Sequence, residues 1–280
     1  SDRTFGFPFG PRVQARYESV GGLVGQGISA EMIADKWNIT REDMDAFGAR
    51  SQELAARATR EGRFQGQIHP VMGADGNMVT QDEGIRETTI EKLASLKPAF
   101  KPVEEGGRVT AGNSSQITDG SAALLIMSEE KAKKLGLKPR ARFVSFALAA
   151  ESPRYMLTAP IPATKKVLER ANLTMDDIDL VEINEAFAAV VLAWAKELHP
   201  DMEKVNVNGK LQEAVRLVFR DDDLLYVNIH SLHKISKYSG QEGTAPTMSK
   251  LGSPEWDNKK RKVKGKVKDI AKDLIALYAK

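Results

Sequence analysis

The chain has 280 residues, 41% of them hydrophobic and 28% charged, with a formal net charge of +3, a balance that fits a globular protein of one large or two ordinary domains. It contains no cysteine, which excludes disulfides, thiolate metal sites and a cysteine nucleophile from these residues. No apolar run approaches the roughly 20 residues that cross a bilayer, and the N-terminus shows no basic-then-apolar leader, so the expectation is a cytoplasmic chain with no membrane contact.

Charge is unevenly spread. Residues 210–280 hold 15 Lys and Arg against 9 Asp and Glu, a net of +6, whereas residues 1–209 hold 26 against 29, a net of −3. This shift marks a candidate boundary near residue 209.

In chain order, residues 1–25 alternate Phe5, Phe7 and Phe9 with Gly6, Pro8 and Gly10 and read as loop. Gly25-Gln26-Gly27-Ile28-Ser29-Ala30 matches a GxGxxA dinucleotide pattern. No convincing strand precedes it, so it reads as a turn leading into a helix over Ala30 to Trp37, with Ser29 at the cap. Thr40-Arg41-Glu42-Asp43 caps a second helix running to about Glu61, whose apolar face is Met44, Phe47, Leu54, Ala55 and Ala58. Gln65 to Glu105 is a long polar stretch broken by Pro70, Pro98 and Pro102, and loops of that length are uncommon unless functional. Thr110 to Ser115 reads as a turn, and Asp119-Gly120-Ser121 opens a helix-like apolar run to Met127. Arg142 to Ala149 alternates as a strand does. Pro160 to Ala171 reads as a helix with Pro162 in its first turn.

The most informative stretch is Val181-Glu182-Ile183-Asn184-Glu185-Ala186-Phe187-Ala188-Ala189. An apolar run from Leu180 to Ile183, a polar pair and an apolar helix from Ala186 to Leu198 form the pattern of a buried strand delivering side chains to a sheet edge. Asn184 and Glu185 either cap that helix or carry chemistry. Strand, helix, strand, helix gives the rhythm of a layered α/β domain. After Gly209 the pattern changes: Lys210–Phe219 and Leu224–Ile235 are β-rich around Arg220-Asp221-Asp222-Asp223, a hairpin turn. Ser239–Pro254 is a linker, and from Asp257 a helix places Val263, Val267, Ile270, Leu274 and Leu277 on one stripe.

The histidines give no metal site. His230 and His233 fall on opposite faces of a strand, and His69 and His199 are isolated and read as solvated. The basic run from Arg261 to Lys268 reads as the solvated face of a helix rather than a nucleic-acid patch.

The string Asn184-Glu185-Ala186-Phe187 resembles the signature of the thiolase family, and the neighbouring segments agree. Ile28–Phe64 resembles the family's loop domain over coenzyme A, and Asp82–Phe100 the segment that follows it. Val109–Ser128 resembles the return to the N-terminal half, and Thr158–Ala188 the opening of the C-terminal half. The resemblance implies acyl-CoA acyltransfer (Claisen condensation or thiolysis in fatty acid metabolism), with coenzyme A thioesters as substrates, no resident cofactor and a homo-oligomer. It also implies that Ala111 and Ser115 line the pantetheine arm, that Met156 lies by the acyl pocket, and that Asn184 holds a water in an oxyanion hole. Glu185 reads as structural. Thiolases use a reactive cysteine, a histidine in a Gly-His-Pro motif and a second cysteine. None of the three is found in these residues, so the expectation is a chain inactive by itself.

Asp221–Gly240, Ala245–Trp256 and Asn258–Lys280 resemble instead the RNA-polymerase-interacting domain of a bacterial transcription-repair coupling factor, which implies the polymerase β subunit as a partner. A gene fusion or an artificial join near Asn208-Gly209 would each give this change of resemblance. The resulting fold expectation is α/β: a partial thiolase-like layered αβα fold with a helical loop domain, followed by a partial small β-barrel and a C-terminal basic helix. Its parts are a loop domain over 1–108, the end of an N-terminal half over 109–139 and the first half of a C-terminal domain over 140–209. Barrel strands follow over 210–240, a linker over 241–256 and a helix over 257–280. Missing neighbours for Leu180–Ile183 are expected to leave apolar surface exposed.

Overall fold

The computed structural model describes residues 9–73, 75–117, 124–209 and the backbone of 226–229. Contacts divide the chain into two units, Ser1–Ala123 with Phe143–His230, and Leu124–Arg142 with Ser231–Lys280.

The larger unit is built on helices. After α1 (Pro11–Tyr17) come α2 (Gln26–Lys36) and α3 (Arg41–Arg60). Thr40 caps α3 as the sequence predicts: its hydroxyl accepts the Asp43 N–H, and the Asp43 carboxylate accepts the Thr40 N–H in return. That reciprocal pair satisfies two of the orphan donors of the first turn. The expected face, Met44, Phe47, Leu54, Ala55 and Ala58, is buried. A short antiparallel hairpin, β1 (Val71–Met72) with β2 (Met78–Val79), and α4 (Ile90–Ala94) break up the polar stretch that follows.

Further along, α6 (Pro160–Ala171) starts on its proline, and β3 (Leu180–Ile183) has the bounds read from sequence. Then α7 (Ala188–Leu198) runs through the middle of the core. Its Trp194 is fully buried, and the indole N–H donates to Thr164 Oγ1 at 3.0 Å, so the one polar atom of this side chain is satisfied. The same buried cluster contains Ile33, Ile39, Met44, Ile161, Leu168, Ile178, Val181 and Val191. β3 has a partner on each edge. Along one edge it pairs in parallel with β4 (Tyr226–Ile229), in the register Leu180↔Tyr226 to Ile183↔Ile229. On the other, Val181 bridges Val205 in parallel.

In the smaller unit the described residues hold α5 (Glu129–Lys134), capped by Ser128, whose hydroxyl accepts the Lys131 N–H.

Several sequence expectations need correction. Residues 11–17 are helical, not loop. Gly25, not Ser29, caps α2; the Ser29 hydroxyl is spent on a tertiary bond to the Tyr155 carbonyl at 2.5 Å. Of the expected run to Met127, residues 124–127 are not helical and Leu124, Leu125 and Ile126 are exposed. Phe143 to Ala149 forms no ladder among the described residues, because strand geometry needs a neighbour to complete its hydrogen bonds. The helix after β3 begins at Ala188 rather than Ala186, since Phe187 is held extended by its bridge to Ser114. The strand beside Leu180–Ile183 is β4, from beyond residue 209, and Val181 and Ile183 are buried, so the apolar surface expected to be exposed at this strand is covered. Of the expected barrel segment only the backbone of 226–229 is described, and it pairs with β3; the rest of that segment, the linker, the C-terminal helix and His230 with His233 lie outside the described residues.

Gly209 sits at φ +63°, and an added Cβ would fall 2.2 Å from the Ser51 carbonyl and 2.3 Å from the Ala55 nitrogen on α3. Left-handed backbone at a non-glycine residue alone costs about 1–3 kcal/mol. Gly209→Ala is therefore expected to lower the urea midpoint more than loss of the α3 cap in Thr40→Ala, worth about 1 kcal/mol.

Candidate functional site

Three loops converge beside α3: residues 109–115, residues 184–187 after β3, and residues 205–209. Each is fixed by buried polar contacts, because loop backbone away from water must find partners in side chains.

Asn206 joins two of the loops. It adopts left-handed backbone (φ 47°) and donates its own N–H to the Val181 carbonyl at 2.9 Å. Its side-chain amide then does what a neighbouring strand would do for Ile183. Oδ1 accepts the Ile183 N–H at 2.8 Å, and Nδ2 donates to the Ile183 carbonyl at 3.0 Å. The same Nδ2 donates to Glu185 Oε1 at 2.6 Å. The other carboxylate oxygen of Glu185 accepts from Ser51 Oγ of α3, also at 2.6 Å. Glu185 is 7% exposed, and this buried carboxylate is paired at both oxygens, the condition under which burial is tolerated. The residue thus bridges the turn after β3 to α3 and to Asn206. Neither it nor Asn184 caps α7, whose cap residue is Phe187 with no side-chain bond.

The first loop is anchored separately. Glu31, 1% exposed, accepts the backbone N–H of Val109 at 2.8 Å and that of Arg108 at 2.9 Å. Asn113 accepts the Thr110 N–H at 2.9 Å and donates to Asp45 Oδ1 at 2.9 Å. Asp45 in turn accepts from Arg41 at 2.7 Å, and Arg41 reaches the Leu93 and Leu96 carbonyls. Gly48 of α3 lets this loop approach, since a Cβ there would lie 2.7 Å from the Gly112 carbonyl.

The Ser115 N–H donates to the Ala186 carbonyl at 2.9 Å, which brings Ser115 beside the Asn184–Phe187 turn. Ser115 is half-buried, and Ala111 is exposed on the turn before it. The Asn184 side-chain nitrogen is buried and has no hydrogen-bond partner among the described residues. Met156 lies on a separate segment, half-buried against the core and at φ 31°. Phe100 meets Phe187 edge to face at 6.0 Å and lies over Gly27, where a Cβ would strike its ring. Among the described residues no group of three or more His, Cys, Asp or Glu is placed to hold a metal ion. His69 and His199 are exposed.

Sequence reading missed Ser51, Asn113 and Asn206. Their partners lie 134, 68 and 21 residues away, so no local pattern marks them. Only the turn-forming string Asn206-Val207-Asn208-Gly209 hints that the chain reverses there.

Residues 21–130 match the profile of the thiolase N-terminal domain and residues 137–211 that of the thiolase C-terminal domain. Residues 188–239 match the profile of the CarD-like/TRCF RID domain. The chain is similar to an acetyl-CoA acetyltransferase of Syntrophomonas wolfei subsp. wolfei, 54% identical over 188 residues, which is 65% of this chain and 47% of that protein. It is also similar to a 3-ketoacyl-CoA thiolase of Idiomarina loihiensis, 48% identical over 214 residues, 74% of this chain and 54% of that protein. The crystal structure of the Bacillus anthracis acetyl-CoA acetyltransferase superposes with a TM-score of 0.63 at 44% identity, covering 72% of this chain and 54% of that one. The chain spans about half the length of the curated relatives it matches.

Removing the Asn206 side chain strands the Ile183 N–H and carbonyl and one Glu185 oxygen, at about 1–3 kcal/mol for each buried unpaired group. Asn206→Ala is expected to cost more than about 3 kcal/mol by urea denaturation. In Asn206→Asp two carboxylates face each other at hydrogen-bond distance. That variant is expected to gain stability as pH falls, because protonating either carboxyl restores a donor between them.

Proposed function

Residues 21–211 belong to the thiolase family, and we propose that they form the coenzyme A-thioester-facing part of a thiolase-type acyltransfer site, a part that binds and orients but does not supply the nucleophile. The observation that carries this reading is the Asn184 amide. A buried donor without a partner costs about 1–3 kcal/mol, and the turn that presents it is fixed from below through Glu185, Asn206 and Ser51. A water or a thioester oxygen accepting from Asn184 Nδ2 offsets that cost. A donor held rigidly at the place where carbonyl charge develops is the element that oxyanion stabilisation needs.

In this reading Asn184 holds the oxyanion-side water, Ala111 and Ser115 line the pantetheine arm on the loop pinned to Ala186, and Met156 borders the acyl group. The thioester is substrate, and no resident cofactor takes part. Condensation or thiolysis also requires a thiolate and a base to raise it. These 280 residues contain no cysteine, so by themselves they bind without turnover, and any thiolate comes from outside them. Self-association follows the same family reading.

A second reading is supported by the profile match over residues 188–239: a segment that docks on the RNA polymerase β subunit.

Calorimetric titration separates the components. Acetyl-CoA is expected to bind saturably with no release of free thiol, and Asn184→Ala to weaken acetyl-CoA about tenfold, the equivalent of 1.4 kcal/mol, while leaving free coenzyme A unchanged. No acetyl-CoA binding at millimolar concentration, or an equal loss for both ligands, would overturn the reading. Co-purification of the β subunit with the full chain tests the second.

A further inference from the structure

A strand that feeds a crossover helix and then a second strand ordinarily lies parallel and adjacent to that second strand, because the helix packs back over both. Residues 143–149, α6 and β3 form such a sequence: an alternating β-type segment, a helix and a buried strand. Residues 143–149 should therefore pair in parallel with β3. In the structure they do not. They form no regular element and lie beside α6, where Arg170 donates to the Phe146 carbonyl at 2.8 Å and Lys166 to the Leu148 carbonyl at 3.2 Å.

The side chains of this segment are arranged against their hydropathy. Phe143 is 66% exposed, Phe146 77% and Leu148 75%, while Ser145, Ala147 and Ala149 take the half-buried positions. An apolar ribbon this exposed marks a segment outside the environment its composition suits. The place beside β3 is taken by β4, which is itself parallel to β3 and lies next to α6. The opposite edge of β3 is closed by Val205 and by the Asn206 side chain. One open edge thus faces two segments.

We infer that residues 143–149 and 226–229 compete for a single edge of β3, and that the described conformation is the one in which 226–229 holds it. The inference does not rest on the coenzyme A reading; it follows from strand order and exposure. Because β4 falls within the segment that matches the CarD-like/TRCF RID profile, any partner that draws residues 226–229 into its own strand pairing releases the edge to residues 143–149. Occupation of one portion then changes the other.

Hydrogen exchange of the full chain, read by peptide mass, tests this. In the unmodified protein the amides of 143–149 should exchange fast. In Val227→Pro, which removes a strand N–H and fixes φ, those same amides should slow at least tenfold while α3 and α7 stay protected. Adding Ser145→Pro to Val227→Pro should abolish the gain. A disulfide between Glu182→Cys and Asn228→Cys, the register partners in a chain with no other cysteine, should keep 143–149 fast. If Val227→Pro does not fold, shown by lost protection in α3 and α7, Val227→Gly repeats the test by weakening the strand without removing an N–H. Two results overturn the inference. One is that 143–149 stay fast in a folded position-227 variant; the other is that they are already protected in the unmodified chain together with 226–229.

Discussion

A buried side-chain amide standing in for a strand carries much of this structure. Asn206 gives Ile183 both a donor and an acceptor and holds Glu185 with the same nitrogen. Through Glu185 and Ser51 it ties the end of β3 to the middle of α3. Strand edges inside a fold must be closed, since open backbone groups away from water are costly. Here the closure is made by one residue in left-handed backbone, directly before a glycine turn that packs on α3 at van der Waals limits. The chain can turn there only with a small residue at 209, and Asn206 can reach Ile183 only because it turns there.

The functional consequence is positional. Glu185 is held at both oxygens, so the turn carrying Asn184 has little freedom. From the other side the loop that bears Ala111 and Ser115 is set by Glu31, Asp45 and Asn113, and joins that turn through Ser115 and Ala186. The portion that matches the thiolase profiles thus holds these loops together within about half the length of its relatives. It has no cysteine among its residues, so on the proposed reading it would hold a thioester without a thiolate to attack it.

The elements visible in the sequence are those whose signals are local. The α3 cap needs only Thr40 and Asp43 three residues apart, α6 starts on its own proline, and β3 is a four-residue apolar run with a polar stop. All three appear with the expected bounds or within a residue or two of them. The failures share a cause as well. Ser29 looks like a cap until Tyr155, 126 residues away, takes its hydroxyl. Residues 142–149 look like a strand because their alternation is right, yet alternation does not supply a neighbour. The resemblance to thiolases singled out Asn184 and the loop at Ala111 and Ser115, but not the Ser51, Glu185 and Asn206 connection that holds the Asn184 turn, nor the Glu31, Asp45 and Asn113 contacts that hold the loop. That connection exists only once distant segments are folded together.

The most direct test of this account is the side-chain amide spectrum of the full chain, with the asparagine resonances assigned by substitution and acetyl-CoA added stepwise. The account predicts that the Asn184 side-chain amide protons shift strongly with ligand, as an unpaired donor acquires a partner. Those of Asn206, already committed to Ile183 and Glu185, should stay in place. Saturating acetyl-CoA that moved Asn206 and left Asn184 unchanged, or moved neither, would contradict the claim that this fold presents a prepared donor to a thioester.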